Sequence, residues 1–114
     1  KFHAIFENAN DAIFLMDRFS IVDCNRKALS VFKGSKEDIV AEPPHMLSPP
    51  TQPDGSDSKE KAMKIVRAAF KGKPQFFTWR HRRFDGTDFD TEISLNSLEL
   101  SGTKYLLAII RERK

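Results

Sequence analysis

The 114-residue sequence predicts one α+β domain, and three observations carry that prediction. Apolar residues run in short strand-like stretches near the start and alternate with period two over the last third, with helical spacing between. The strong turn signals in the last third, Asp85-Gly86 and Ser101-Gly102, separate consecutive strands by so little that these must be antiparallel neighbours. The helical segments sit together in the middle of the chain instead of alternating with strands, which excludes a doubly wound parallel sheet.

Taken in order, Phe2, Ile5, Phe6 and Ala9 have helical spacing and predict a short amphipathic helix ended by Asn8, Asn10 and Asp11. Ala12-Ile13-Phe14-Leu15-Met16 is too short and too uniformly apolar for a surface helix, and reads as a strand buried on both faces. Asp17-Arg18-Phe19-Ser20 turns the chain into a second strand, Ile21-Val22-Asp23-Cys24. Asn25 suits a helix N-cap; Ala28, Leu29 and Phe32 form the apolar stripe behind it, with Gly34 as the stop. Ser35 and Asp38 make a capping pair before Ile39 and Val40. Five prolines between Glu42 and Gly55 predict a loop, because proline lacks the amide proton that helices and ladders need. Asp57 with Glu60 opens the longest helix, with Ala62, Ile65, Val66, Ala69 and Phe70 on one side and Gly72-Lys73-Pro74 closing it. Beyond Pro74 the period changes to two. Phe77, Trp79 and His81 share one face of a strand. Phe89, Thr91, Ile93 and Leu95 alternate with Asp90, Glu92, Ser94 and Asn96 on the next. Tyr105 to Ile110 is a last strand, apolar on both faces.

With 39% apolar residues and ten phenylalanines, the chain has ample material for a core, and disorder, collagen and coiled coil are excluded. A lone cysteine, Cys24, allows no internal disulfide. The apolar runs fall far short of the ~20 residues of a membrane-spanning helix, and no secretory n-region opens the chain. The sequence begins at Lys1 and stops in charged residues, which reads as a soluble domain of a longer protein. The net charge of +3 is mild, and basic residues alternate with acids. Arg80, Arg82 and Arg83 form the one basic cluster, and a solvated outer face explains them better than nucleic-acid binding.

Three stretches then stand in a specific order and spacing. Phe6-Glu7-Asn8-Ala9-Asn10-Asp11-Ala12-Ile13 runs through Met16-Asp17 to Ile21-Val22-Asp23-Cys24-Asn25. Gly34-Ser35-Lys36-Glu37-Asp38 opens a helix. Trp79-Arg80-His81-Arg82-Arg83 precedes Asp85-Gly86-Thr87, Glu92-Ile93-Ser94-Leu95 and Ala108-Ile109-Ile110-Arg111. Together they resemble a PAS domain over essentially the whole chain. The resemblance implies a five-stranded antiparallel sheet of order 2-1-5-4-3 with helices over one face. Residues 1–9 would be an N-terminal flanking helix and 10–111 the core of a single domain, 1–114. It implies a sensory or dimerisation module, of the kind found in histidine kinases and other bacterial and archaeal signalling proteins. The chain departs from the family in having no glycine in its first turn and Arg111-Glu112-Arg113 at the end of its last strand.

Candidate chemistry is sparse. The longest helix has no histidine to ligate heme, and Cys24 lies at a strand end and not in the helical motif of photosensing flavin domains, so neither cofactor is expected. The histidines show no metal-ligand spacing, and catalytic motifs are absent, so the segment is not expected to be an enzyme. Period two places Phe14, Met16, Phe77, Trp79 and His81 on a concave face with Thr91, Ile93, Leu95, Leu106, Ala108 and Ile110. Ile65, Val66, Ala69 and Phe70 close it from the helix side. The resemblance puts any ligand between these layers. Side chains this large leave either a filled interior or a cavity for a small hydrophobic ligand. His81 is then either a satisfied core histidine or a polar group facing that ligand. On the outer face Ile13, Leu15, Tyr105, Leu107 and Ile109 form an apolar patch beside Phe2, Ile5 and Phe6, which predicts a homodimer through that face. The expected whole is a cytoplasmic sensory module, linked to an effector domain such as a histidine kinase, with no membrane insertion. A ligand-free protein-interaction module is the alternative.

Overall fold

The computed structural model describes residues 2–113, with the side chain of Phe2 outside that description. Along the chain run α1 (Phe2–Asn8), β1 (Ala12–Met16), β2 (Ile21–Cys24), α2 (Arg26–Phe32) and α3 (Lys36–Ile39). A 3-10 helix (Pro44–Leu47), α4 (Ser58–Phe70), β3 (Gln75–Arg82), β4 (Asp88–Leu100) and β5 (Thr103–Glu112) follow. The strands make one antiparallel sheet in the order β2-β1-β5-β4-β3, as the resemblance implied.

The first turn does without glycine because Asp17 organises it. Its Oδ1 accepts from the backbone NH groups of Phe19 and Ser20 and from the Ser20 hydroxyl. Gly34 has a different task from the one expected. The left-handed residue that ends α2 is Lys33, at φ 60°. At Gly34 a methyl group would overlap the Phe84 ring, so glycine is there for close approach. Ser35 and Asp38 form a complete capping box, and Asp57 caps α4 through Glu60 N. The proline-rich stretch is not structureless: Pro44 opens the 3-10 helix, and Leu47 at its end is buried.

Pleat alternation divides the sheet's side chains into two sets. The inner set, with Phe14, Met16, Trp79, Ile93, Leu95, Leu106, Ala108 and Ile110, joins Phe32, Ile39, Leu47, Val66 and Ala69 in one apolar cluster. The outer set near the chain's start is smaller: Phe6, Ile13 and Leu15 are buried at 2%, 7% and 6% exposure but lie outside that cluster. This corrects the expected dimer patch, since Ile13 and Leu15 are already covered within one chain and offer a partner little surface.

Polar groups inside the fold are few and satisfied. Asn25, fully buried, caps α2 by accepting from Ala28 N at 3.0 Å and also accepts from Ile13 N at 3.0 Å. Its Nδ2 donates to the carbonyls of Phe6 and Asp11 at 2.9 and 3.0 Å. All four hydrogen-bonding positions of the carboxamide are therefore used. Gln52 does similar work at the open edge of β3. Its Oε1 accepts from Arg80 N, and its Nε2 donates to Arg80 O and to Ser58 Oγ. The amide thus stands in for a neighbouring strand.

These buried polar groups make the fold sensitive to substitution and to acid. Asn25→Ala removes four side-chain bonds at once, leaves the buried Ile13 amide without its acceptor, and is expected to cost about 3 kcal/mol in chemical denaturation. Asn25→Ser, which keeps a capping oxygen, is expected to cost less. The sensitivity to acid comes from His81, 4% exposed, whose imidazole burial pushes from 6.5 down to about 3. The unfolded chain takes up this proton near pH 6.5 while the folded chain does not. Stability is thus full above that pH and falls as pH drops toward 3, at about 1.4 kcal/mol per unit. Denaturation at pH 7 and pH 5 should differ by about 2 kcal/mol, and His81→Leu should remove most of that difference.

Candidate functional site

Between the inner face of the sheet and the helices above it lies a cavity of about 50 Å³. Phe14 and Met16 of β1, Ile93 and Leu95 of β4, and Ala108 and Ile110 of β5 line its sheet side. Phe77, Trp79 and His81 of β3 complete that side, because period two aims alternate residues of the edge strand inward. Ala62, Ile65 and Val66 of α4 and Pro44 of the 3-10 helix close the other side. A helical spacing of three and four residues puts Ala62, Ile65 and Val66 on one stripe of α4.

Among these residues His81 is the ionisable one. Its ring meets Phe32 edge-on at 5.1 Å between centroids and lies 5.9 Å from Phe89. Its Nδ1 is 2.9 Å from Thr91 Oγ1, and the Thr91 hydroxyl donates to Trp79 O at 3.2 Å. Trp79 is held by an Nε1 bond to Ser48 Oγ at 2.9 Å and by an edge-to-face contact with Phe77. This fixes the indole that forms part of the wall.

Of the residues expected at the pocket, Phe14, Met16, Ile65, Phe77, Trp79, His81, Ile93, Leu95 and Ala108 line this cavity. Ala69 and Thr91 do not. Ala69 is packed into the apolar cluster further along α4, and the Thr91 hydroxyl is spent beneath His81 and Trp79. Pro44 and Ala62 are the lining residues that the sequence did not single out. Pro44 lies in a segment that read as loop, and nothing local says that it folds back over the sheet. Pro44, Ala62 and Val66 also line an outer groove of about 280 Å³, with Arg18, Phe19, His45, Lys59, Met63 and Arg67 around it. The same three side chains therefore form the wall common to the inner cavity and the groove.

On the outer face, Tyr105, Leu107 and Ile109 are half-buried, and Ile5 is 72% exposed on α1. Phe6 is turned inward, and Phe2 lies outside the described side chains. The basic cluster is neutralised in place. Arg80 pairs with Asp90 at 2.9 Å and Arg82 with Asp88 at 2.7 Å across the β3–β4 hairpin. Arg83 reaches Glu112 and lies over the Phe89 ring. Cys24 is fully buried, and burial pushes its thiol up to about 11. Among the described residues no cluster of side chains suits a metal ion, and no helix is long and apolar enough to cross a membrane.

Comparison with known proteins agrees with this architecture. A PAS domain of an HTR-like protein from Haloarcula marismortui is 20% identical, with 98% of this chain and 94% of that one covered and a TM-score of 0.81. A domain of a sensory box sensor histidine kinase/response regulator from Geobacter sulfurreducens is 26% identical, covers 96% and 90%, and has a TM-score of 0.77. The PAS domain of a LuxR-family transcriptional regulator from Burkholderia thailandensis, in complex with ethanol, is 16% identical, covers 98% and 96%, and has a TM-score of 0.74. Light-oxygen-voltage proteins share the fold as well, among them a domain studied with a flavin analogue. No curated protein sequence matches the chain. The sequence itself matches the PAS domain family over residues 10–113. With that match spanning nearly its whole length, the chain belongs to the PAS domain family.

Proposed function

We propose that this chain is the sensory and dimerisation module of a cytoplasmic signalling protein, relaying ligand or partner binding to an attached effector such as a histidine kinase. PAS domains are sensory modules, and the similar structures come from histidine kinases and other regulators. The observation that carries the reading is the cavity between α4 and the sheet, apolar on every side except at His81. Its volume of about 50 Å³ is a third of the ~150 Å³ that admits benzene, so the ligand is a small hydrophobic molecule. A ligand-free protein-interaction module is the second reading, favoured by how little space the core leaves.

Neither heme nor flavin fits this reading. No histidine lies on α4, and an isoalloxazine ring far exceeds the cavity. Cys24 is a buried, protonated thiol away from the cavity lining, so it is no reactive partner for a flavin. Arg80, Arg82 and Arg83 are each tied to an acidic residue, which argues against nucleic acid as a partner. Among the described residues the cavity lining holds a single ionisable group, His81, so catalysis is assigned to the attached effector.

Dimerisation uses the outer face, where Tyr105, Leu107 and Ile109 lie half-buried, together with the exposed Ile5 of α1. The same region ties the chain ends together. Arg111, at the end of β5, pairs with Asp11 at 3.1 Å, just beyond α1. A change in the sheet thus reaches both terminal segments at one point.

Native mass spectrometry of freshly purified protein, compared with denaturing conditions, should find a dimer with retained small-molecule mass. A monomer with no adduct that also fails to take up xenon would overturn the sensory reading. Ile109→Glu should lower the solution mass to that of a monomer while circular dichroism stays unchanged, and an unaltered mass would remove the proposed interface.

A further inference from the structure

The polar pair beneath the cavity determines which nitrogen of His81 carries a proton. A threonine hydroxyl has one hydrogen to give. With that hydrogen given to Trp79 O at 3.2 Å, Oγ1 accepts from His81 Nδ1 at 2.9 Å, and the imidazole proton sits on Nδ1. Burial keeps the ring neutral at physiological pH. Nε2 is therefore a bare acceptor. It has no partner among the described residues, and no fully enclosed side-chain nitrogen or oxygen there lacks one. Nε2 is thus open, in a residue 4% exposed that lines the cavity.

Nε2 is an acceptor on an otherwise apolar wall, and a guest that brings a donor satisfies it while burying its own carbon atoms. An anion meets the lone pair unfavourably, and a guest with only acceptors leaves Nε2 unsatisfied. We propose that the cavity selects a small uncharged molecule bearing one hydroxyl or N–H group, which donates a hydrogen bond to Nε2 of His81 while its carbon atoms pack against Trp79, Ile65 and Ile93. The inference rests on the reading of this cavity as a ligand site, and it adds what that ligand must carry. The Thr91 hydroxyl and Trp79 carbonyl act as positioning groups that hold the tautomer.

The experiment uses protein labelled with ¹⁵N, titrated with three probes of similar size: ethanol, acetonitrile and formate. In the free protein the His81 ring should show the signature of a neutral Nδ1–H tautomer. Ethanol should shift Nε2 and the amides of Ile93 and Ala108 to saturation. Its affinity should exceed those of acetonitrile and formate by about ten-fold, the worth of one hydrogen bond. In His81→Leu the preference of ethanol over acetonitrile should fall close to unity. A ring protonated at Nε2 overturns the proposal, as does equal binding of ethanol and acetonitrile to the unaltered protein; both measurements need no variant to fold. Xenon separates the two readings. If xenon shifts the cavity amides while ethanol shows no preference, the donor rule falls and the cavity stands. If neither guest acts, both fall.

Discussion

The buried carboxamide of Asn25 is the constraint on which the arrangement of the first third of the chain depends. Helix α1, the strand β1 and helix α2 bring backbone groups together at the same point. A primary amide has two donors and two acceptor positions, and here each is used: by Phe6 of α1, by Asp11 before β1, by Ile13 within β1 and by Ala28 in the first turn of α2. In a fully buried position none of these bonds competes with water, so the geometry is narrowly determined. Around this junction Phe6, Ile13 and Leu15 are all buried instead of facing solvent.

The two edges of the sheet are managed by a related economy. At β2, Ile21 bonds to Glu42 and Ala41, so the chain entering the proline-rich stretch closes that side. At β3, the Gln52 side chain replaces a strand, and Ser58 holds the same loop through its bond to Pro49 O. The loop is thereby pulled from one edge of the sheet to the other, across the mouth of the inner face. That path is what brings Pro44 against α4 and shapes the wall of the cavity. Edge protection and the wall of the cavity are therefore one piece of structure.

The outer surface of the hairpin β3–β4 follows from the same register. Arg80 stands opposite Asp90 and Arg82 opposite Asp88, so two rows that look in sequence like a basic cluster and an acidic stripe neutralise each other. Exposed pairs of this kind add little stability, but they leave no uniform charge on that face. The inward residues of the same strands, Trp79, His81 and Thr91, form the polar chain under the cavity. One alternation separates a neutralised surface from a largely apolar interior.

Local sequence settled the elements and their faces. The change of period at Pro74, the Asp85-Gly86 and Ser101-Gly102 turns, and the caps at Asn25, Ser35 and Asp57 are short-range signals, because turn geometry and capping involve residues within four positions. They sufficed to name most of the cavity lining, since period two alone assigns Phe77, Trp79 and His81 to one side. Tertiary structure decided what depends on residues far apart in the chain. Gly34 is set by Phe84, the four bonds of Asn25 reach back to Phe6, and the role of Gln52 exists only once Arg80 lies beside it. The tautomer of His81 belongs to the same class. A pattern of apolar and polar positions says that this imidazole faces inward, but which nitrogen it leaves bare is determined by a hydroxyl on the neighbouring strand and by where that hydroxyl spends its own hydrogen.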